Sequence, residues 1–543
     1  MPGGSSSLPS IGSSLLTIGK SGLLRPYTPA QAARVVGRLP SLTPNAGGLL
    51  ALAAARDPRG TAAVDDVGLA SFSEMDERAA AVAAGLSRLG VEAGRTVALL
   101  CRNHRGFLLA TAAAARLGAD VLYLNTGFAG PQLAEVLTDE GVAALVVDEE
   151  FLDLTHGLDA GLPVVVAWWD DRRRVGDRTS LQQLLECDPA WAPPPSRRSG
   201  RSVLLTSGTT GRPKGASRDA PRDPTPVLGV LARIPYRRGD VTVLTAPMFH
   251  AWGLANTVVG LAYGATLVLS RRFDPEDTLR RIERYRARVL VAVPVMLQRI
   301  MELPTEVRAG YDTSSLQVVA LSGSALPGEL ALRSMDAFGD VVYNLYGSTE
   351  VGWVSVAGPR DLRAAPSTAG RVLPGIRVRI LDAEGSEVAP GATGRIFVRS
   401  ALTFEGYRGG GGKEVLDGFM STGDVGHVDD AGLLFVDGRD DDMIVSGGEN
   451  VFPAEVEDLI AGHPAVAEVS VVGVPDVDFG QRLEAWVVVR PGATITAEEV
   501  VALVRANLAR FKVPRRVHFV DALPRNAAGK VVKGRLAGDV AAG

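Results

Sequence analysis

A ten-residue run, Thr206-Ser-Gly-Thr-Thr-Gly-Arg-Pro-Lys-Gly215, directly follows an apolar strand candidate at 203–205. Its glycines let backbone N–H groups turn toward an anion. Four hydroxyls (Thr206, Ser207, Thr209 and Thr210) add donors, and Lys214 adds a point charge. That inventory fits a phosphate. A Walker loop needs Gly before the Lys and Ser or Thr after it to reach Mg2+. Here Pro213 precedes Lys214 and Gly215 follows, so kinase or ATPase chemistry of that type fails at two positions. Further on, Glu350 is a carboxylate closing an otherwise uncharged run, 344–349. It suits a Mg2+ ligand and, taken alone, equally suits a helix N-terminus.

The phosphate segment resembles the signature of the adenylate-forming superfamily: acyl-CoA synthetases, peptide-synthetase adenylation domains and luciferases. Further motifs follow in order and extend the resemblance over roughly residues 50 to 536. Asn344-Leu-Tyr-Gly-Ser-Thr-Glu350 is similar to the second signature, and Ser421-Thr-Gly-Asp424 to the ribose-binding one. Gly438-Arg439 through Gly447-Gly-Glu-Asn-Val-Phe-Pro453 resembles the hinge and glycine loop. Pro524-Arg-Asn-Ala-Ala-Gly-Lys530 resembles the C-terminal lysine motif.

Joining a carboxylate to ATP brings two anions together, so the site must neutralise both. The resemblance implies that Thr206, Ser207, Gly208, Thr209, Thr210 and Lys214 hold the β- and γ-phosphates. It gives Glu350 the Mg2+ and Thr349 the α-phosphate. Asn344, Tyr346, Gly347 and the backbone at Gly323, Ser324 and Ala325 are implied to face the nucleotide, with Tyr346 and the 323–325 backbone on adenine. Asp424 and Arg439 would take the ribose hydroxyls, and Lys530 would bridge the carboxylate and the α-phosphate. Asp441 matches the hinge about which the small domain swings. Gly447 and Gly448 resemble the lining of a pantetheine tunnel, where small residues allow a thiol's close approach. His250 lies where the family often has an aromatic residue gating the acyl pocket, although a lone histidine among apolar residues is more often a satisfied core residue.

The implied reaction has two steps: acid and MgATP give acyl-AMP and pyrophosphate, and a thiol, coenzyme A first, then displaces AMP. Segments 100–150 and 241–305 resemble bacterial fatty-acid–CoA ligases, which points to a medium or long acyl chain. An amine or another nucleophile as acceptor is the alternative. A nucleotide-binding regulator without catalysis is disfavoured, because Lys214, Glu350, Asp424, Arg439 and Lys530 are all present.

These residues need elements to position them. Ser71-Phe-Ser-Glu74 reads as a capping box opening a helix with apolar residues at Met75, Ala79, Val82, Leu86 and Leu89, closing at Gly90. Strand 97–100, helix 106–117, strand 120–124, helix 130–140 and strand 143–147 follow, an alternation that argues for a parallel sheet with covering helices. Further strands are expected at 203–206, 241–246, 265–269, 289–293, 317–321 and 341–343, with a helix at 275–287. After about residue 370 short turn-bounded strands predict a small β-rich subdomain. In the last hundred residues a helix at 455–461, strands at 467–473 and 484–489, and a second capping box at Thr496 and Glu499 form another unit. The polar run Arg439–Asp442 reads as a surface linker. The fold class is therefore α/β: a large N-terminal domain of layered sheets with helices and a small β-rich subdomain (46–440), then a small mobile α+β C-terminal domain (441–543). Residues 1–45 read as a loosely ordered leader.

Composition sets the outer bounds. The 543 residues carry 57 Lys+Arg and 61 Asp+Glu, a formal charge of -4, which gives no sign of a nucleic-acid surface. Only six of the basic residues are lysines, so a retained lysine can be there for its compact ammonium. Cys101 and Cys187 make no disulfide framework, match no zinc spacing, and both read as buried small apolar residues. No apolar run reaches membrane-span length, and the Gly-, Ser- and Pro-rich N-terminus lacks a compact apolar h-region and does not read as a secretory signal, so a cytoplasmic protein is the default expectation. The oligomeric state, monomer or homodimer, is left open.

Overall fold

The structure is a computed structural model. It describes residues 19, 21–22, 26–39, 42–43, 45–128, 130–158, 161–207, 213–218, 223, 225–404, 412–440, 444–446, 449–451, 453–476, 480–508, 512–526 and 529–536. Contacts divide the chain into two compact units. One is residues 9–320 with 404–412; the other is mainly 321–403 and 413–543.

The first unit holds two largely parallel sheet systems. In one, the strands run in the order Thr179–Ser180, Val164–Trp168, Val142–Asp148, Thr96–Leu100, Asp120–Tyr123, Ser202–Ser207 and Pro213–Arg218. All neighbours are parallel except the last pair, which is antiparallel. Every residue of Thr96–Leu100 and of Asp120–Tyr123 is buried, as strands covered on both faces must be. Helix Phe72–Arg88 begins as its sequence dictates. Ser71 Oγ accepts from the Glu74 N–H at 3.2 Å and Glu74 Oε2 accepts from the Ser71 N–H at 2.7 Å. A cap of this kind contributes about 1 kcal/mol, and burial of Met75, Ala79, Val82 and Leu86 supplies the larger part of the helix's stability. Helix Arg105–Leu117 is buried along nearly its whole length, with the Phe107 ring stacked 5.5 Å from Tyr123. In the other system Val289–Ala292, Val241–Leu244, Thr266–Leu269 and Thr61–Asp65 lie side by side in parallel, and Gly68–Ser71 closes it as a hairpin.

The second unit carries the antiparallel hairpin Val342–Ser348 and Gly352–Ala357. Next comes the small sheet of Arg377–Leu381, Gly394–Arg399, Phe419–Val428, Val415–Leu416 and Leu434–Arg439. A last sheet joins Ile444–Ser446, Glu449–Val451, Gly480–Val489, Val466–Asp476 and Arg516–Phe519. Helices Pro453–Ala461 and Ala497–Asn507 bury Val456, Ile460, Val500 and Val504 against Ile444, Val471, Ala485 and Val487 of that sheet. The α/β class and its layered elements are thus as expected.

Four local expectations change. Glu350 lies in the turn between two antiparallel strands, so no helix dipole acts on it. Arg439 and Asp440 are not a free polar linker. Arg439 ends a strand, and Asp440 is held by its backbone N–H to the Gly423 carbonyl (3.0 Å) and by an ion pair to Arg395 (3.1 Å). Cys101 is buried, but Cys187 is partly exposed, its sulfur 3.9 Å from Arg88 Nη1. Residues Pro29–Arg38 of the leader form a helix with a Thr28–Gln31 capping box.

Candidate active site

In the first unit the phosphate segment is a β-hairpin. Ser202–Ser207 and Pro213–Arg218 pair antiparallel, with Thr206 opposite Lys214 and Ser207 opposite Pro213. A Walker loop leads from a strand into a helix, so the backbone adds a third objection to that reading. Gly208, Thr209 and Thr210 lie outside the described residues, as do Asp441, Gly447 and Gly448.

His250 occupies the N-cap position of helix Ala251–Tyr263 but makes no side-chain cap bond. Its ring sits 4.6 Å from Phe249. Nε2 is buried and has no hydrogen-bond partner among the described residues. Burial pushes its pKa down to about 4, so the ring is neutral at pH 7. It is not a satisfied core histidine.

The second unit gathers several of the expected residues. Tyr346 lies on Val342–Ser348, and Asp424 lies on Phe419–Val428 directly opposite Arg439 of Leu434–Arg439. The Tyr346 hydroxyl donates to Asp424 Oδ2 at 2.6 Å, while Arg439 Nη1 lies 3.5 Å from Oδ1. Burial raises the Asp424 pKa above its ordinary value. The Tyr346 bond, the Arg439 charge, the Lys530 charge and a bond from Thr422 oppose it in that order. The same burial, with Asp424 beside it, pushes the Tyr346 phenol well above the usual tyrosine range. So Tyr346 stays the proton donor and Asp424 the acceptor.

Lys530 is exposed, and its charge reaches Asp424. Its loop is closed at both ends. The Lys530 N–H donates to Asn526 Oδ1, and the Asn526 N–H donates to the Lys530 carbonyl, each at 2.9 Å. Arg525 braces it through the Gly529 carbonyl (2.7 Å) and Glu468 (2.6 Å).

Asn344 is buried, and its Oδ1 has no partner among the described residues. Gly347 follows a register shift in the hairpin. A Cβ there would lie 2.2 Å from the Gly352 carbonyl oxygen, so the strand crossing itself demands glycine. Thr349 and Glu350 form the turn. Ser348 Oγ accepts from the N–H of Glu350 (3.2 Å) and of Val351 (3.3 Å), which fixes the direction in which Glu350 leaves the strand. Gly323, Ser324 and Ala325 lie between strand Val318–Leu321 and helix Gly328–Phe338, outside the carboxyl end of a strand, where open α/β sheets bind ligands.

One buried cluster escaped the sequence reading. Cys101, His104 and Asp148 offer ligand atoms within 4.8 Å of one another. The separation of 44 positions between His104 and Asp148 hides this grouping from any spacing rule. His104 Nδ1 accepts from the Gly106 N–H at 3.0 Å, so Nε2 carries the proton and donates to Asp148 at 2.8 Å. Both ring nitrogens are occupied and no lone pair is left for a metal. The cluster ties two strand ends together.

With these elements, the chain falls in the class of AMP-forming ligases of the acyl-CoA synthetase type. The chain belongs to the AMP-binding enzyme family, which matches residues 50–408, and the family's C-terminal domain matches residues 455–530. It is 35% identical over 476 residues to the indoleacetate–CoA ligase of Aromatoleum aromaticum, covering 86% of this chain and 92% of that one. A feruloyl-CoA synthase of an Amycolatopsis species is 34% identical, at 86% and 93% coverage. Among solved structures, the amide bond synthetase McbA of Marinactinospora thermotolerans is similar with a TM-score of 0.78 at 28% identity, covering 91% of this chain and 99% of that one. Among the described residues no helix is long and apolar enough to cross a membrane.

Proposed function

We propose that the enzyme converts a ring-bearing carboxylic acid and MgATP into acyl-AMP and pyrophosphate, and then transfers the acyl group to coenzyme A. The observation that carries this reading is the Tyr346–Asp424–Arg439 group with the Lys530 charge upon it. Asp424 accepts from two ribose hydroxyls, and Arg439 adds a donor. Lys530 lies at the α-phosphate end, where negative charge builds as the carboxylate attacks and pyrophosphate leaves. The phosphate hairpin with Lys214 holds the β- and γ-phosphates. Glu350 presents a hard oxygen donor from a fixed turn, the kind of single carboxylate that Mg2+ combines with substrate phosphates. When bound, Mg2+ would neutralise phosphate charge.

The acid class rests on two supports. The relatives named above carry indoleacetate and ferulate in their names, which favours an aromatic acid over the medium or long acyl chain implied by resemblance alone. His250 adds a neutral ring with an unpartnered buried nitrogen beside Phe249, a surface that suits a flat ring with a polar edge. Likeness to an amide bond synthetase supports an amine acceptor as the second reading. The test is mass spectrometry of products formed from an aromatic acid panel with ATP, first with coenzyme A and then with amines. Acyl-CoA in the first arm supports the reading; amide alone in the second replaces its transfer step.

A further inference from the structure

Arg395 is the second residue of strand Gly394–Arg399, opposite Val425 on the strand that carries Asp424. Its guanidinium reaches in two directions. One arm pairs with Glu414, and the other, through Nε, lies 3.1 Å from Asp440 Oδ2. Each of these acids is the chain neighbour of a cation: Glu414 follows Lys413, and Asp440 follows Arg439. Backbone bonds fix both acids close to the Asp424 strand. The Glu414 carbonyl accepts from the Ser421 N–H at 2.8 Å, and the Asp440 N–H donates to the Gly423 carbonyl at 3.0 Å.

The two cations meet at Gly423, the residue before Asp424. A Cβ added there would lie 3.1 Å from Lys413 Nζ and 3.2 Å from Arg439 Nη2. Gly423 also has φ 78°, which a side chain would strain. Two cations gathered on one side of a single glycine repel each other unless an anion or an electron-rich ligand joins them. Asp424 Oδ1, 3.5 Å from Arg439 Nη1, is one carboxylate beside this pair of cations.

We infer that Arg395 is a positioning residue for nucleotide binding: through Glu414 and Asp440 it holds Lys413 and Arg439 together beside Gly423, the residue before Asp424, and Lys413 is a further ligand for the nucleotide's ribose–phosphate end. This rests on the adenylating function proposed above. A planar, forked guanidinium spans two carboxylates, which an ammonium's point charge cannot do with the same geometry.

The experiment titrates AMP by calorimetry into the full-length protein, its Arg395→Ala and Arg395→Lys forms, Lys413→Ala, and Arg395→Ala combined with Asp440→Asn. It also records KM for ATP, KM for the acid and the melting temperature of each. Arg395→Ala is expected to weaken AMP binding and raise KM for ATP by about two- to fivefold, the span of an ion pair at a partly exposed site, while KM for the acid stays put. Arg395→Lys should recover part of the loss, Lys413→Ala should weaken AMP binding similarly, and the double variant should be no worse than Arg395→Ala, since both changes cut one link. AMP affinity unchanged in Arg395→Ala overturns the inference, as does a parallel rise in both KM values with a fallen melting temperature that Arg395→Lys does not repair. Failure of the functional reading looks different: AMP binds, but no acid elicits pyrophosphate.

Discussion

The Tyr346 hydroxyl donates to the Asp424 carboxylate across 2.6 Å, joining two motifs 78 residues apart in the chain. Burial works against the ionised carboxylate, and this bond is the largest of the opposing influences on it. Tyr346→Phe should therefore leave Asp424 harder to ionise and less well aimed. A hydrogen bond to a charged group corresponds to about a tenfold change, so KM for ATP should rise about tenfold at pH 7, with its acidic limb moved to higher pH. Steady-state kinetics across pH 5–8 check this.

Asp424, once ionised, opposes stability. Its folded pKa lies above the ordinary value of 3.8, so the group favours folding most when protonated, and that contribution is lost as pH rises through the folded pKa. Asp424→Asn should then lose nucleotide affinity yet melt no lower than the unaltered protein at pH 7. Any advantage should shrink on acidification toward pH 4. Melting curves without ligand at the two pH values measure it; a lower melting point for the variant at pH 7 contradicts the assignment.

His250 has the opposite sign. Its folded pKa of about 4 lies below the ordinary 6.5, so its contribution is intact above pH 6.5 and is lost as pH falls toward 4, when the unfolded chain takes the proton first. The loss amounts to at most about 3 kcal/mol. His250→Phe should flatten that part of the pH dependence in urea unfolding. It should also change KM for the acid more than KM for ATP.

Lys530 separates the two half-reactions. Lys530→Ala should cripple pyrophosphate release by about a hundredfold or more, the scale of removing one preorganised electrostatic donor. It should spare thioester formation from supplied acyl-AMP. Asp441→Pro should do the reverse by blocking backbone rotation at the position that matches the family's hinge. Rapid-quench assays of each step distinguish them, and equal losses in both steps would contradict the assigned roles.

Local signals carried most of the fold. The Ser71–Glu74 and Thr496–Glu499 boxes start helices where the sequence places them, because capping involves only neighbours. Uninterrupted apolar runs such as 97–100 mark parallel strands buried on both faces. What stayed hidden was long-range. The Arg395–Asp440 pair spans 45 residues and turns an apparent linker into an anchored strand end. His104 and Asp148 meet only because parallel strands bring their carboxyl ends together. Glu350 looked equally suited to a helix start, since a single carboxylate after uncharged residues does not distinguish a turn from a first helical turn. Of the candidate site, the residue types were legible in the motifs, whereas the Tyr346–Asp424 bond, which favours the charged form of Asp424, was not.

The central claim is adenylation of an acid. Pyrophosphate release should be measured with MgATP and a panel of aromatic, alicyclic and fatty acids, with no acceptor present. The account predicts release that depends strictly on the acid, strongest with aromatic members and matched by acyl-AMP in the mass spectrum. Pyrophosphate release with no acid in the panel would contradict it.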